Sequence, residues 1–194
     1  MRTRFTQEFP AAADTDVITF DDVMVYGGAR DTVPLPSVHG GASGEHDEEY
    51  ADHVAIVTYG NGVVTALQAQ RELEQKHGVR DVVVVDSPYL SDVPAGLRVV
   101  LRGARAVVFA DPCKGGSAGG APLAGTACAM HSEGLLPGGA WSLVAAPRTY
   151  NPLGKTFTFL DQADIVELTR KTLAMMESEQ RPETKHTKKK KKKD

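Results

Sequence analysis

The residues of this sequence that could do chemistry are concentrated between Asp111 and Gly120, in the stretch Asp-Pro-Cys-Lys-Gly-Gly-Ser-Ala-Gly-Gly. A glycine-rich turn before a helix can present backbone N–H groups to an anion, and a lysine adds positive charge. The spacing matches neither GxGxxG followed by an acid nor GxxxxGK[ST]. The alternative is a tight turn that lets a strand and a helix pack closely. The candidate anion-binding residues are Lys114, Gly115, Gly116, Gly119 and Gly120.

Cysteine and histidine side chains give weaker signals. Cys113 lies beside Lys114, and a nearby ammonium group makes a thiol more reactive, but no histidine and carboxylate follow in an order that indicates a Cys–His nucleophile. His39, His46 and His53 are seven residues apart, which is not the spacing of a close metal-binding pair. The sequence therefore predicts a structural loop cysteine at Cys113 and a solvated loop around the three histidines. It predicts no catalytic residue and no metal ligand.

Asp86 follows a run of four valines, at a place where an acid could accept a hydrogen bond from a ribose in a dinucleotide-binding fold. The turn Gly60-Asn61-Gly62, which precedes it by one helix, lacks the third glycine of that fingerprint. NAD binding is therefore not predicted.

These residues follow a regular alternation of strand and helix patterns. Apolar, β-branched runs predict buried strands, and apolar residues at helical spacing predict the segments between them. The strands are expected at Val54–Tyr59, Val82–Asp86, Ala106–Ala110 and Trp141–Ala146, and the helices at Val63–His77, Ala95–Leu101, Ala121–His131 and Gln162–Glu177. This order predicts an α/β fold, a three-layer α/β/α sandwich whose mostly parallel sheet has about four to five strands.

The chain divides into three parts by composition. Residues 1–49 contain short β-like runs and a Pro- and Gly-rich segment, and are interpreted as a lead-in and linker. Residues 50–177 carry the strand and helix alternation and form the predicted domain. Residues 178–194 are rich in lysine and lack apolar side chains, so they are predicted to be a disordered, solvated tail.

Charge and hydropathy exclude several classes of protein. The net charge is −3 although the last ten residues include seven lysines, so the predicted domain is acidic and nucleic-acid binding is not expected. No apolar run approaches the roughly 20 residues that a membrane-spanning helix needs. The N-terminus has no apolar core of a secretory signal, and two cysteines make neither a disulfide framework nor a zinc site. A reducing compartment fits best.

Five segments in order carry a family resemblance: VAIVTYGNGV, VRDVVVVDSPYLSDVP, ARAVVFADPCKGGSAGG and FLDQADIVEL, preceded by residues 16–35. Together they resemble the C-terminal domain of transketolase-like enzymes, and more closely the β subunits of thiamine-diphosphate-dependent 2-oxo acid dehydrogenases of the pyruvate and branched-chain types. The resemblance covers residues 15–175, with residues 1–49 similar to the end of the pyrimidine-binding domain and its linker. The chain departs from the family at several polar positions: after the second strand it has Asp86-Ser87-Pro88-Tyr89, where an Asp-x-Arg-Thr type of sequence is usual.

In that family the cofactor and the catalytic glutamate belong to domains that would precede residue 15. The resemblance therefore implies a stand-alone or truncated C-terminal domain that serves subunit dimerisation or docking and is not catalytic alone. One alternative is a portion of a genuine 2-oxoisovalerate or pyruvate dehydrogenase β subunit that takes part in oxidative decarboxylation with partner chains. A weaker alternative is a regulatory domain that binds a small anion.

The resemblance also implies partners and a place in the cell. Thiamine diphosphate with magnesium would be bound only through partner domains, and the partners would be a second copy, an α subunit or an acyltransferase core. The mitochondrial matrix is the expected location, with the cytoplasm as the alternative. An exposed apolar rim near one sheet edge is predicted as the interface, and its residues are Tyr89, Leu90, Tyr150 and Leu153.

Overall fold

The computed structural model describes residues 19–27, 35–38, 52–115, 121–148 and 159–179. The strands in these ranges are β1 (Val23–Gly27), β2 (Leu35–Val38), β3 (His53–Thr58), β4 (Val82–Asp86), β5 (Ala104–Lys114) and β6 (Trp141–Ala146). The helices are α1 (Gly62–His77), α2 (Ala95–Arg102), α3 (Pro122–Ser132) and α4 (Gln162–Glu179). None of these helices is long and apolar enough to cross a membrane.

In the part of the chain that the structure describes, the strands form one six-stranded sheet in the order β2-β1-β4-β3-β5-β6. Strands β3 to β6 are parallel to their neighbours among themselves, whereas β1 is antiparallel to both β2 and β4. The predicted α/β class is confirmed. The sheet has more strands than the four to five expected, because two strands come from residues before 50.

The side chains of the central strands alternate between two apolar cores, one on each face of the sheet. Val83 and Val85 lie on one face with α2 and α3, while Val82 and Val84 lie on the other with α1 and α4. Because both faces are covered, the valines of β4 are buried, which explains why this strand reads as a continuous apolar run. The domain therefore has three layers, with α1 and α4 on one face of the sheet and α2 and α3 on the other.

The segment before β1 is an integral part of this domain. The Asp21 side chain accepts a hydrogen bond from the backbone N–H of Ala95 at 3.3 Å, and its carbonyl accepts one from Gly96 at 2.8 Å. Asp21 therefore caps α2 from 74 residues away. The sheet and this cap extend the folded unit beyond the boundary at residue 50. The likeness of residues 1–49 to a pyrimidine-binding domain stays a prediction.

The element boundaries agree with the sequence to within about two residues, except in β5. This strand continues four residues past Ala110 because Asp111 and Lys114 pair with Ala145 and Ala146 of β6. Gly78 ends α1 in the left-handed conformation, with φ of 66°, as a C-terminal glycine is expected to do. The lysine-rich tail beyond 179 lies outside the described residues.

Candidate functional site

The carboxyl ends of the parallel strands form the edge where open α/β sheets usually bind ligands. The chain leaves β3 toward α1 on one face, whereas it leaves β4 and β5 toward α2 and α3 on the opposite face. Since β3 lies between β4 and β5, the connections diverge on both sides of β3. Crevices at such divergence points are where this fold class places its sites.

In β5, three residues before the strand ends, Asp111 acts as a clamp that holds several elements together. Its side chain is fully buried and accepts three hydrogen bonds of 2.8 Å. One oxygen accepts from the Tyr59 hydroxyl and from the backbone N–H of Cys113, and the other accepts from the backbone N–H of Leu123 in the first turn of α3. The carboxylate therefore ties the end of β3, the extension of β5 and the start of α3 together, and it also caps a helix.

Tyr59 completes this clamp as a neutral donor. Burial, together with hydrogen bonds to the Cys113 side chain and to Asp111, raises the pKa of the phenol well above its ordinary value of 10.0. A phenol with a raised pKa keeps its proton at neutral pH, so Tyr59 donates its hydrogen bond to Asp111 there. Tyr59 is thus held as a hydrogen-bond donor and not as a base.

The turn between β3 and α1 needs glycine for close packing. A Cβ atom on Gly62 would lie 2.3 Å from the Thr58 hydroxyl oxygen. That hydroxyl cannot move away easily, because it donates a hydrogen bond of 2.7 Å to the carbonyl of Ala110 and has 0% exposure. The glycine pattern of this turn therefore has a packing reason, and the backbone N–H groups of Gly62 and Val63 already bond to carbonyls of the turn.

The end of β4 is different. Asp86 is half-buried, and its Oδ1 atom is inaccessible to solvent without a hydrogen-bond partner. Ser87 follows with 1% exposure, and its hydroxyl oxygen also has no partner, although its N–H donates to the carbonyl of Thr58 at 2.9 Å. Burial raises the pKa of the Asp86 carboxyl above its ordinary value of 3.8. Buried polar atoms are nearly always paired, so this position needs an explanation.

The residues predicted to bind an anion are described only in part. Lys114 is the last residue of β5 and Gly115 follows it, while Gly116, Gly119 and Gly120 lie outside the described residues. The N–H of Gly115 donates to the carbonyl of Ala146 at 3.0 Å. That amide holds β5 against β6, as the tight-turn interpretation expects. The anion site as a whole stays a prediction.

The predicted interface is also described in part. Tyr89 stacks against Phe20, with ring centroids 5.0 Å apart and planes inclined by 36°, and Phe20 is 75% exposed. Leu90 packs against the core beside α2 and α3. Tyr150 and Leu153 lie outside the described residues. Tyr89, which is partly buried, thus forms an aromatic pair with the exposed Phe20 that the sequence analysis did not anticipate.

Sequence reasoning gave Cys113 and the three histidines little weight. Cys113 is exposed at the end of β5, and His53 is buried at the start of β3, while His39 and His46 lie outside the described residues. In the described ranges, no group of three or more His, Cys, Asp or Glu side chains is placed to hold a metal ion. The clamp of Tyr59 and Asp111 was missed. The one available signal was an acid directly after a buried strand.

No protein-family model matches this chain, and no curated protein matches it. Among solved structures, the chain is similar to one described as a split gene transketolase, inactive beta4 tetramer. The two are 23% identical with a TM-score of 0.49, and the alignment covers 65% of this chain. The same alignment covers 40% of that transketolase chain, so this chain spans less than half of its length. The α/β class assigned here rests on the chain's own sheet and helices.

Proposed function

We propose that this chain is an assembly domain of the transketolase C-terminal type that associates with a second copy of itself and has no catalytic activity alone. The observation that carries the proposal is the aromatic pair of Phe20 and Tyr89, in which Phe20 is 75% exposed and Tyr89 is partly buried. Aromatic side chains bury large areas at little cost in conformational entropy, and they are enriched at the centres of protein interfaces. The exposed ring of Phe20, supported by Tyr89, offers such a surface for protein contact.

The hydrogen bonds that Asp111 accepts support an assembly role over a catalytic one. Both of its oxygens accept hydrogen bonds from fixed groups of the fold, which positions it as a structural carboxylate. A general base must lie within hydrogen-bond reach of substrate, whereas this carboxylate is fully buried. If the chain acts with an α subunit or an acyltransferase core, thiamine diphosphate with magnesium would be bound by those partner domains, and the chemistry would be theirs.

The test is sedimentation velocity of the full chain over a range of concentrations, comparing the wild type with the double variant Phe20→Ser, Tyr89→Ser. The proposal expects a concentration-dependent dimer whose dissociation constant rises at least about tenfold in the variant, since 1.4 kcal/mol is a factor of ten and a central aromatic side chain contributes more. Circular dichroism checks that the variant is folded.

The matched control is Val64→Ser, which removes an apolar side chain that is 62% exposed on α1, away from the pair. It should leave the dimer unchanged. A wild type that remains a monomer at all concentrations, or a dimer that Val64→Ser weakens as much as the double variant does, would overturn self-association through this surface. Adding a purified 2-oxo acid dehydrogenase α subunit and acyltransferase core in the same experiment tests the enzyme-subunit alternative.

A further inference from the structure

The residues directly before β1 form a tight turn that is fixed at its base. The N–H of Asp22 donates to the carbonyl of Thr19 at 3.2 Å, and the Asp22 carboxylate accepts from the N–H of Thr19 at 2.7 Å. These two bonds close a β-turn with Phe20 and Asp21 at its corners. Asp22 has 0% exposure and leads directly into β1, so the base of the turn belongs to the packed domain.

Both corner residues reach the connection between β4 and α2. The Phe20 ring lies against Tyr89, with ring centroids 5.0 Å apart, although Phe20 is 75% exposed. Asp21 accepts hydrogen bonds from the N–H groups of Ala95 and Gly96, the first residues of α2. One turn therefore places an aromatic ring on this connection and binds to the helix that follows it.

The start of α2 depends on this turn for its cap. Pro94 precedes the helix and makes no side-chain capping hydrogen bond. The helix has eight residues, and helices this short are not stable alone in water, so their ends need partners from the rest of the fold. Asp21 supplies two acceptors, its carboxylate and its carbonyl oxygen. The turn and the helix are thus bound to each other.

The anchor at Asp21 decides where the neighbouring ring can lie. A ring that is 75% exposed buries little area of its own, so its contact with Tyr89 alone holds it weakly. Asp21 follows Phe20 directly in the chain, and its hydrogen bonds to α2 restrict the backbone that carries the ring. Association costs less when a contacting side chain is already ordered in the free protein.

We propose that Asp21 is a positioning residue of the assembly surface: it anchors the turn to α2 and thereby holds Phe20 against Tyr89 before a second copy binds. The consequence for association rests on the proposed assembly function. The placement of the ring is a property of the single chain, so it can be measured without association.

The first test uses NMR spectra of the isotopically labelled full chain, at a concentration at which sedimentation velocity shows only monomer. Nuclear Overhauser effects between the ring protons of Phe20 and Tyr89 are expected in the wild type. Asp21→Ala should lower their intensity, because it removes the side-chain acceptor of the Ala95 N–H. Asp21→Asn keeps an oxygen acceptor and should restore them, since asparagine caps helices about as well as aspartate.

The second test measures dimerisation of the same variants by sedimentation velocity at higher concentration. Asp21→Ala should raise the dissociation constant of the dimer by about threefold to tenfold, whereas Asp21→Asn should leave it close to the wild-type value.

Two control variants separate positioning from general loss of stability. Asp92→Ala removes another exposed carboxylate of the same connection, one that accepts from the N–H of Val93 at 2.7 Å. Tyr59→Phe removes the hydrogen bond to Asp111, away from the turn. Both should leave the ring contact and the dissociation constant unchanged.

Full ring contacts in Asp21→Ala would overturn the inference, and so would an equal loss in either control, which would trace the effect to destabilisation. A dimer with the same dissociation constant in the wild type and in Asp21→Ala would show that the anchor does not serve assembly. A chain that stays monomeric at all concentrations would overturn the assembly function itself, and the ring contacts would still decide whether Asp21 positions Phe20.

Discussion

The ends of β4 and β5 look alike in sequence and differ in structure. In each strand a buried apolar run is followed by an aspartate, which is Asp86 at the end of β4 and Asp111 three residues before the end of β5. Asp111 is fully buried with three hydrogen bonds, whereas Asp86 is half-buried with one oxygen that has no partner. The same residue type in the same kind of place is a structural clamp in one strand and an uncompensated charge in the other.

The helix that follows each strand explains the difference. After β5 the chain enters α3, whose Leu123 N–H bonds to Asp111, so the carboxylate caps the helix that its own strand leads to. After β4 the chain enters α2, but the N–H groups of Ala95 and Gly96 bond to Asp21, which precedes β1. Asp21 therefore caps α2, and Asp86 makes no hydrogen bond to the start of that helix.

The largest effect is expected from breaking the clamp. Asp111→Ala removes three hydrogen bonds and leaves the buried N–H of Leu123 and the part-buried N–H of Cys113 without their acceptor, so it should lower the free energy of unfolding by about 3–5 kcal/mol. Urea unfolding followed by circular dichroism measures this loss.

Tyr59→Phe is the graded control for that experiment, because it removes one donor and leaves both backbone bonds to Asp111 in place. It should cost only about 1 kcal/mol. A loss for Asp111→Ala no larger than that for Tyr59→Phe would show that Asp111 is not the clamp described here.

The smallest change in stability is expected at the end of β4, where the substitution should stabilise the protein. Asp86→Asn removes an uncompensated charge, so at pH 7 it should raise the free energy of unfolding by a fraction of 1 kcal/mol, since the carboxylate is only half-buried. The measurement is urea unfolding of both proteins at several pH values.

The pH dependence follows from the raised pKa of the Asp86 carboxyl. The folded protein holds this proton more tightly than the unfolded chain, so the wild type loses stability as pH rises through the folded pKa and keeps it below the ordinary value of 3.8. The advantage of Asp86→Asn should therefore disappear as pH falls toward that value. An advantage that stays constant with pH would show that the charge is not its cause.

The sequence was sufficient for the parallel part of the fold and insufficient for the contacts at its edge. Apolar runs and helical spacing predict β3 to β6 and α1 to α4, because local patterns decide them. The pairing of β1 with β4 and the cap that Asp21 forms on α2 join residues about sixty and seventy positions apart. Local patterns carry no information about such pairs.

The candidate site was hidden for the same reason. Tyr59 and Asp111 are 52 residues apart and meet only because β3 and β5 are neighbours in the sheet. The sequence also makes Asp86 and Asp111 look equivalent, since each follows a buried strand. Which of them is satisfied depends on the helix caps, and these depend on where the lead-in to β1 packs.

The most direct test of this account is the titration of the Asp86 carboxyl in the full chain, followed through its side-chain carbon signal by NMR. The account predicts a pKa above the ordinary value of 3.8, because the group is buried at the end of β4 without a counter-charge. A pKa at or below 3.8 would mean that the carboxylate is already paired or solvated, and it would contradict the contrast between the two strand ends.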